Sequence, residues 1–212
     1  IIFNGPDKTD EQLLMAARNH SLIHIDHYDE LYTLIRLSEE HQLKPKVAIR
    51  INMDTGIYPK WDRFGFNFEN GQAWNALTRI LNSNHLQLVG LHCHIGTFML
   101  SPSAYATAAR NLCELAWSVK ERYGRMIDYI DLGGGFPSTN TLKGAYLPGT
   151  DTVPSLDQFA DAITDVILGY GFRPEELPTL ILESGRALID EAGFLLGTVL
   201  ATKRLSDGRR AT

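Results

Sequence analysis

Apolar residues fall along the chain in two alternating rhythms. Short runs rich in aliphatic residues, at Ile1 to Asn4, Leu22 to Asp26, Lys46 to Ile51, Leu86 to Ile95, Ile127 to Leu132 and Thr179 to Glu183, predict six strands. Between them lie longer segments whose apolar positions recur at three and four, as in Leu31, Leu34, Ile35 and Leu37, so that each predicted helix has one buried face. These helices fall near Asp10 to Asn19, Glu30 to His41, Gly71 to Leu81, Ser103 to Tyr123 and Leu156 to Leu168. Strands separated by helices must run parallel, because each crossover brings the chain back in the same direction.

A parallel sheet of this kind opens as a doubly wound sheet or closes as a barrel, and closure normally takes eight strands. Polar and glycine-rich residues follow nearly every strand end here: Asn4-Gly5, His94-Ile95-Gly96-Thr97, Gly133 to Gly135, and Glu183-Ser184-Gly185-Arg186. A barrel builds its site from all of those ends, whereas an open sheet uses one switch point. The pattern therefore predicts an α/β fold, a parallel (β/α)8 TIM-type barrel of which about six strands are present, over residues 1–192. Past a short helical stretch to Ala192 and a stop at Gly193, Phe194 to Leu205 reads as a strand leaving the barrel. Residues 193–212 are expected to begin a C-terminal β domain.

Composition narrows the function. The chain is 44% hydrophobic and 21% charged, as an ordinary globular domain is, with a net charge of -5. Its 20 Lys and Arg are scattered, which argues against a nucleic-acid partner. No apolar run approaches the roughly 18 residues a membrane span needs. Cys93 and Cys113 lack CxxC spacing and are expected to be small buried hydrophobes; with no visible signal peptide, a cytoplasmic location is expected. The chain opens on Ile1-Ile2-Phe3 without an initiator Met, so its native start is expected further upstream.

Chemistry concentrates at the strand ends. Asp131-Leu-Gly-Gly-Gly-Phe-Pro137 sets three glycines directly after a strand, where bare N–H groups can approach an anion; a merely tight turn is the alternative. Glu183-Ser-Gly-Arg186 repeats the arrangement at the next strand end and adds a permanent, fork-shaped cation. His92 and His94 alternate along one strand and share a side. They could serve a metal, with Asp26, Asp54, Asp131 or Glu183 as further ligands, or stack on a flat cofactor; no metal is expected.

Four segments, Asn4-Gly-Pro-Asp-Lys8, Gly90-Leu-His-Cys-His-Ile-Gly-Thr97, Asp131 to Pro137 and Glu183 to Arg186, together resemble successive signatures of the diaminopimelate/ornithine decarboxylase family, in its order and across the whole chain. The resemblance implies pyridoxal 5'-phosphate as cofactor, an amino-acid substrate and a homodimer. By the same resemblance His94 stacks on the pyridine ring and Thr97, where Ser is usual, bonds the phosphate. Gly133, Gly134, Gly135, Gly185 and Arg186 complete the phosphate cradle, Glu183 faces the ring nitrogen, and Arg50 lies near the ring. Glu183 and His94 are the catalytic candidates. None of the seven lysines has the strand context of a Schiff-base lysine, which the resemblance places upstream of Ile1. Ser184 and Trp61-Asp-Arg-Phe-Gly65 depart from the family pattern, and specificity is expected to lie partly in the loop Tyr146 to Pro154. A racemase of the same fold and a non-catalytic cofactor carrier are the alternatives to a decarboxylase.

Overall fold

A computed structural model describes residues 1–139, 153–190, 192–193 and 196–212. The chain alternates β1 (Ile2–Phe3), α1 (Asp10–Arg18), β2 (Leu22–Ile25), α2 (Tyr28–Glu40), β3 (Lys46–Asn52), a two-residue β4 (Phe66–Asn67) and α3 (Gln72–Asn82). It continues with β5 (Gln87–Cys93), α4 (Pro102–Tyr123), β6 (Tyr129–Asp131), α5 (Leu156–Gly169), β7 (Thr179–Ile181) and the single-turn α6 (Arg186–Ile189). Side-chain caps start the helices where the sequence supplies them. Thr9 with Gln12, and Ser155 with Gln158, form capping boxes at α1 and α5, each satisfying two backbone donors that a helix N-terminus otherwise leaves without partners. Gly124, at φ 61°, ends α4 in the left-handed region that a side chain would disfavour.

Six strands pair in parallel in the order β1-β2-β3-β5-β6-β7, with β4 attached to β3. The order never reverses, so there is no switch point, and the sheet is singly wound as a barrel is. Its curvature is visible in one contact: the amide of Asn4, just past β1, donates to Glu183 Oε1, just past β7, at 3.2 Å. Six strands laid flat would hold those ends roughly 24 Å apart, at about 4.8 Å per strand. The edges of the arc have therefore curled round to face each other across its interior.

Side chains alternate about the sheet. Ile23, Ile25, Val47, Ile49, Ile51, Leu91, Cys93, Ile130 and Leu132 pack outward against the helices in the main core. Ala48, Val89 and Tyr129 form a smaller apolar cluster backed by Leu22 and Ile181. Above it the interior turns polar, with His24, Arg50, His92 and Asp131 all buried. The step from apolar floor to polar rim runs toward the strands' C-terminal ends, where the glycine-rich turns lie.

The expected strand from Phe194 to Leu205 is not formed as a unit. Phe194 and Leu195 lie outside the described residues, 196–202 carry no regular structure, and β8 (Lys203–Arg204) pairs antiparallel with β9 (Arg210–Ala211) in an exposed two-residue hairpin. Aliphatic composition predicted a strand there, but Leu196 and Leu200 are almost fully exposed. With no neighbouring strand to take up backbone bonds, an apolar run does not become one. Residues 146–152 of the expected specificity loop, and Lys143, also lie outside the described residues.

Candidate active site

The glycines are fixed by crowding among strand ends. A Cβ on Gly133 would lie 2.6 Å from the Cys93 carbonyl oxygen and 2.8 Å from His94 Nδ1. One on Gly134 would lie 2.3 Å from the Glu183 carbonyl oxygen, and one on Gly135 2.1 Å from that of Gly96. Gly133 and Gly135 also hold φ of 66° and 91°. The turn after β6 is thus wedged between the ends of β5 and β7, and Glu183 N–H donates to the Gly133 carbonyl at 2.8 Å. Tyr105 donates its hydroxyl hydrogen to the Gly134 carbonyl at 2.8 Å and braces the turn from α4. Gly185 differs: nothing lies within 4 Å of its Cβ position, so its reason is room rather than contact.

The wedge gathers three of the expected site residues. His94 accepts from the Gly134 N–H through Nδ1 at 3.1 Å, and its pKa is lowered by burial and by the Arg50 charge. Glu183 sits beside Gly134 and is held by Asn4. Arg50 projects from β3 into the same opening, bonded to Asp26 at 3.4 Å and stacked over the Phe64 ring at 4.6 Å. Asp26 also accepts from the Gly65 N–H at 3.2 Å, tying the 61–65 loop to the rim. The Trp61 ring of that loop lies 5.4 Å from the His94 ring, so this loop borders the site at His94.

Thr97 and Arg186 stand at the outer edge of the site. Thr97 is exposed in the turn whose Gly96 carbonyl packs against Gly135. Arg186 opens α6 and lies over the Phe98 ring at 5.4 Å, with Asp190 3.9 Å away. The Arg186 guanidinium and the open space at Gly185 suit this corner to a phosphate group, whereas the Gly133 and Gly134 N–H groups are already bonded to Asp131 and His94.

Beneath the rim runs a network that motif reading did not resolve. Tyr129 and His24 Nε2 bond at 2.9 Å; the His24 and His92 rings lie 4.6 Å apart; and the Asn4 amide, which holds Glu183, also meets His92 Nε2 at 3.2 Å. Gly90 has no side chain because the Tyr129 ring occupies that space, 2.2 Å from where a Cβ would be. Burial, then the charges of Lys8 and Arg50, push His24 down to about 3. Burial likewise drives His92 well below the ordinary imidazole range. Burial and the adjacent Glu183 raise Asp131 well above the ordinary carboxylate range. His24 could have been suspected as a single polar residue inside the run Leu22 to Ile25; nothing local marked Tyr129 as its partner.

His24, His92, Asp131 and Glu183 bring one donor atom each to within 4.8 Å of one another. The convergence that a metal reading of His92 requires is therefore partly present, with His24 as an addition. Ligands about 2.1 Å from a tetrahedral zinc stand about 3.4 Å apart, so this spread describes a hydrogen-bonded cluster better than a coordination sphere.

Lys8 has no freedom to react. It is completely buried, paired with Glu30 at 2.7 Å, and donates to the carbonyls of Gly5 and His24 at 2.5 and 2.7 Å. All three ammonium hydrogens are used. Cys93 and Cys113 are buried and free, as small hydrophobes of the core.

Comparison with known proteins adds an independent line. Residues 1–190 match the family model described as pyridoxal-dependent decarboxylase, pyridoxal binding domain. A diaminopimelate decarboxylase of Methanocaldococcus jannaschii is 32% identical over 210 residues, covering 94% of this chain and 45% of that protein. One from Actinosynnema pretiosum is 33% identical, covering 96% of this chain and 46% of that protein. The crystal structure of the M. jannaschii enzyme in complex with L-lysine superposes with a TM-score of 0.80 at 30% identity, over 97% of this chain and 48% of that one. The chain spans about half the length of the curated relatives it matches.

Proposed function

Because the chain belongs to the pyridoxal-dependent decarboxylases, as their pyridoxal-binding domain, we propose that it holds pyridoxal 5'-phosphate at the C-terminal rim of its barrel and that the whole protein decarboxylates an amino acid. The observation that carries this reading is the Glu183 carboxylate, fixed by Asn4 from the opposite edge of the sheet and facing the opening it shares with His94 and Arg50. A carboxylate held there keeps a pyridine nitrogen protonated, and the bound cofactor then supplies an electron sink for the carbanion left when CO₂ departs.

The remaining residues bind and orient. Gly133, Gly134, Gly135 and Gly185, with Thr97 and Arg186, would form the phosphate cradle: Gly133 and Gly134, whose N–H groups bond Asp131 and His94, shape the turn, while Gly135 and Gly185 would offer backbone N–H groups, Thr97 a hydroxyl and Arg186 a guanidinium. His94 stacks on the ring, and Arg50 lies at its edge, kept in place by Asp26 and Phe64. Lys8 is committed to Glu30 and two backbone carbonyls, and the Schiff-base lysine is assigned, on the family resemblance, to a segment upstream of Ile1. Relatives named diaminopimelate decarboxylase, and an L-lysine complex of one of them, favour a diamino acid such as diaminopimelate, ornithine or lysine as substrate. Residues 193–212 are read as the start of a further β domain, consistent with the end of the family match at 190. A homodimer and a cytoplasmic location complete the proposal; no helix among the described residues is long and apolar enough to cross a membrane.

Full-length protein supplied with pyridoxal 5'-phosphate tests the reading. The expected result is a visible Schiff-base absorbance band and release of CO₂ from one of these diamino acids. A band without CO₂ from any amino acid supports the carrier, interconversion of enantiomers without CO₂ supports the racemase, and no band at all contradicts cofactor binding.

A further inference from the structure

The acids and bases of the barrel interior do not balance one to one. Four carboxylates face it or its rim, Asp26, Glu30, Asp131 and Glu183, and two cations are in reach, Lys8 and Arg50. Each cation already has its acid: Lys8 pairs with Glu30 at 2.7 Å and Arg50 with Asp26 at 3.4 Å. Asp131 and Glu183 remain, within 4.8 Å of each other; among the described residues neither forms an ion pair with a lysine or arginine, and Arg50 acts on Glu183 only from a distance. The two imidazoles beside them do not supply one, since burial keeps both His24 and His92 neutral.

Asp131 is completely buried. Its Oδ1 accepts from the Gly133 N–H at 2.8 Å, while its Oδ2 has no hydrogen-bond donor. A buried carboxylate oxygen facing a second carboxylate is costly, and two like charges this close do not both persist in a dry site. The group can relieve this by keeping its proton on Oδ2, which turns an oxygen without a donor into a donor itself. A Glu183 carboxylate oxygen lies within 4.8 Å to accept that proton, and the nearby Glu183 charge favours keeping it on Asp131.

We infer that Asp131 and Glu183 share one proton, held on Asp131 Oδ2 and turned toward the Glu183 carboxylate, with Asp131 acting as a positioning residue that leaves the pair with a single negative charge. Asn4 then holds Glu183 from β1 and Asp131 from β6, so the carboxylate is clamped from both sides of the arc. The inference rests on the cofactor reading above in one respect. A pair carrying one negative charge matches the one positive charge of a protonated ring nitrogen, whereas two ionised acids would leave a surplus beside it. The other groups facing Asp131 do not change this count: His92 and Cys93 on β5, Tyr129 on its own strand and His24 on β2 are held neutral by burial, and Arg50 is committed to Asp26.

Infrared spectroscopy of the full-length protein tests it, with aspartate carrying ¹³C in its carboxyl so that the C=O stretch of a protonated aspartic acid is identified by its isotope shift. At about pH 6 the cofactor-free protein should show such a band, which titrates away as the pH rises, and Asp131→Asn should lack it. In Glu183→Gln the like charge is gone, and the band should titrate away at a pH lower by about one unit or more. Asp131→Asn should still fold, because an amide accepts from Gly133 and donates to Glu183 as the neutral acid does. Absence of the band at about pH 6, a titration unmoved in Glu183→Gln, or an Asp131→Asn protein that does not fold would each overturn the inference. Failure of the cofactor reading is distinguishable: the band would be present and titrate as described, yet adding pyridoxal 5'-phosphate would leave it and the visible spectrum unchanged.

Discussion

At the residue scale, side chains of similar chemistry have different duties according to what surrounds them. Arg186 lies half-exposed over Phe98, and its proposed role is the charge it offers a bound phosphate. Arg186→Ala in the full-length protein should weaken cofactor binding by about 1.5 kcal/mol, the lower end for a charge-assisted hydrogen bond because solvent competes at this position. A spectroscopic titration measures it, and an unchanged affinity would mean that backbone N–H groups alone make the cradle. Lys8 is the opposite case, its charge spent inside the fold on Glu30. Lys8→Met should destabilise the protein by about 3–5 kcal/mol by leaving Glu30 buried without its cation, and adding Glu30→Leu should recover most of the loss. Denaturant unfolding of both variants decides this. The clustering of polar and glycine residues after strands marked Glu183, His94 and the glycines as candidates, whereas Arg50, inside a strand, was a candidate only through the family resemblance. The sequence did not show that Asn4, known only as part of a motif, holds Glu183, because that contact spans 179 positions and exists only once the sheet curls.

At the scale of elements, every predicted strand and helix of the barrel formed, within a few residues of its expected ends. The periodicities of two and 3.6 record which face is buried, and each element here has one face on the main core. β4 escaped notice because two residues carry no period; the loop from Met53 to Gly65 returns to β3 there. Glycine roles differed in legibility. The sequence marks Gly134 and Gly185 alike, but the structure separates them: one is wedged against the Glu183 carbonyl and the other stands in open space. Gly134→Ala should therefore push β6 and β7 apart and lower stability by about 1–3 kcal/mol, as overpacking does. Gly185→Ala should stay within about 0.5 kcal/mol of the parent. Thermal melts of the two full-length variants compare them directly, and equal losses would contradict the crowding argument.

At the scale of the whole molecule, the barrel reading rested on alternating strands and helices and on polar residues after nearly every strand end, and the uninterrupted arc with its curled edges agrees with it. The polar interior gives the fold a pH dependence. His24 titrates at 6.5 when unfolded and near 3 when buried, so the unfolded chain takes the proton first. Its contribution is fully present above pH 6.5 and is lost as pH falls from there toward 3. Urea unfolding of the full-length protein should show stability declining through that window, and His24→Gln, which keeps a partner for Tyr129, should flatten the slope. The central claim is that Glu183 serves catalysis by sustaining charge on a ring nitrogen. Glu183→Gln is nearly isosteric and leaves the phosphate corner intact, so folding and cofactor binding should persist. Single-turnover decarboxylation by the full-length variant isolates the chemical step. We expect that rate to fall by roughly two orders of magnitude or more, the scale of losing one well-placed electrostatic partner in a dry site. A rate close to the parental one would contradict the account, and would leave Glu183 as no more than a brace between Asn4 and the glycine turn.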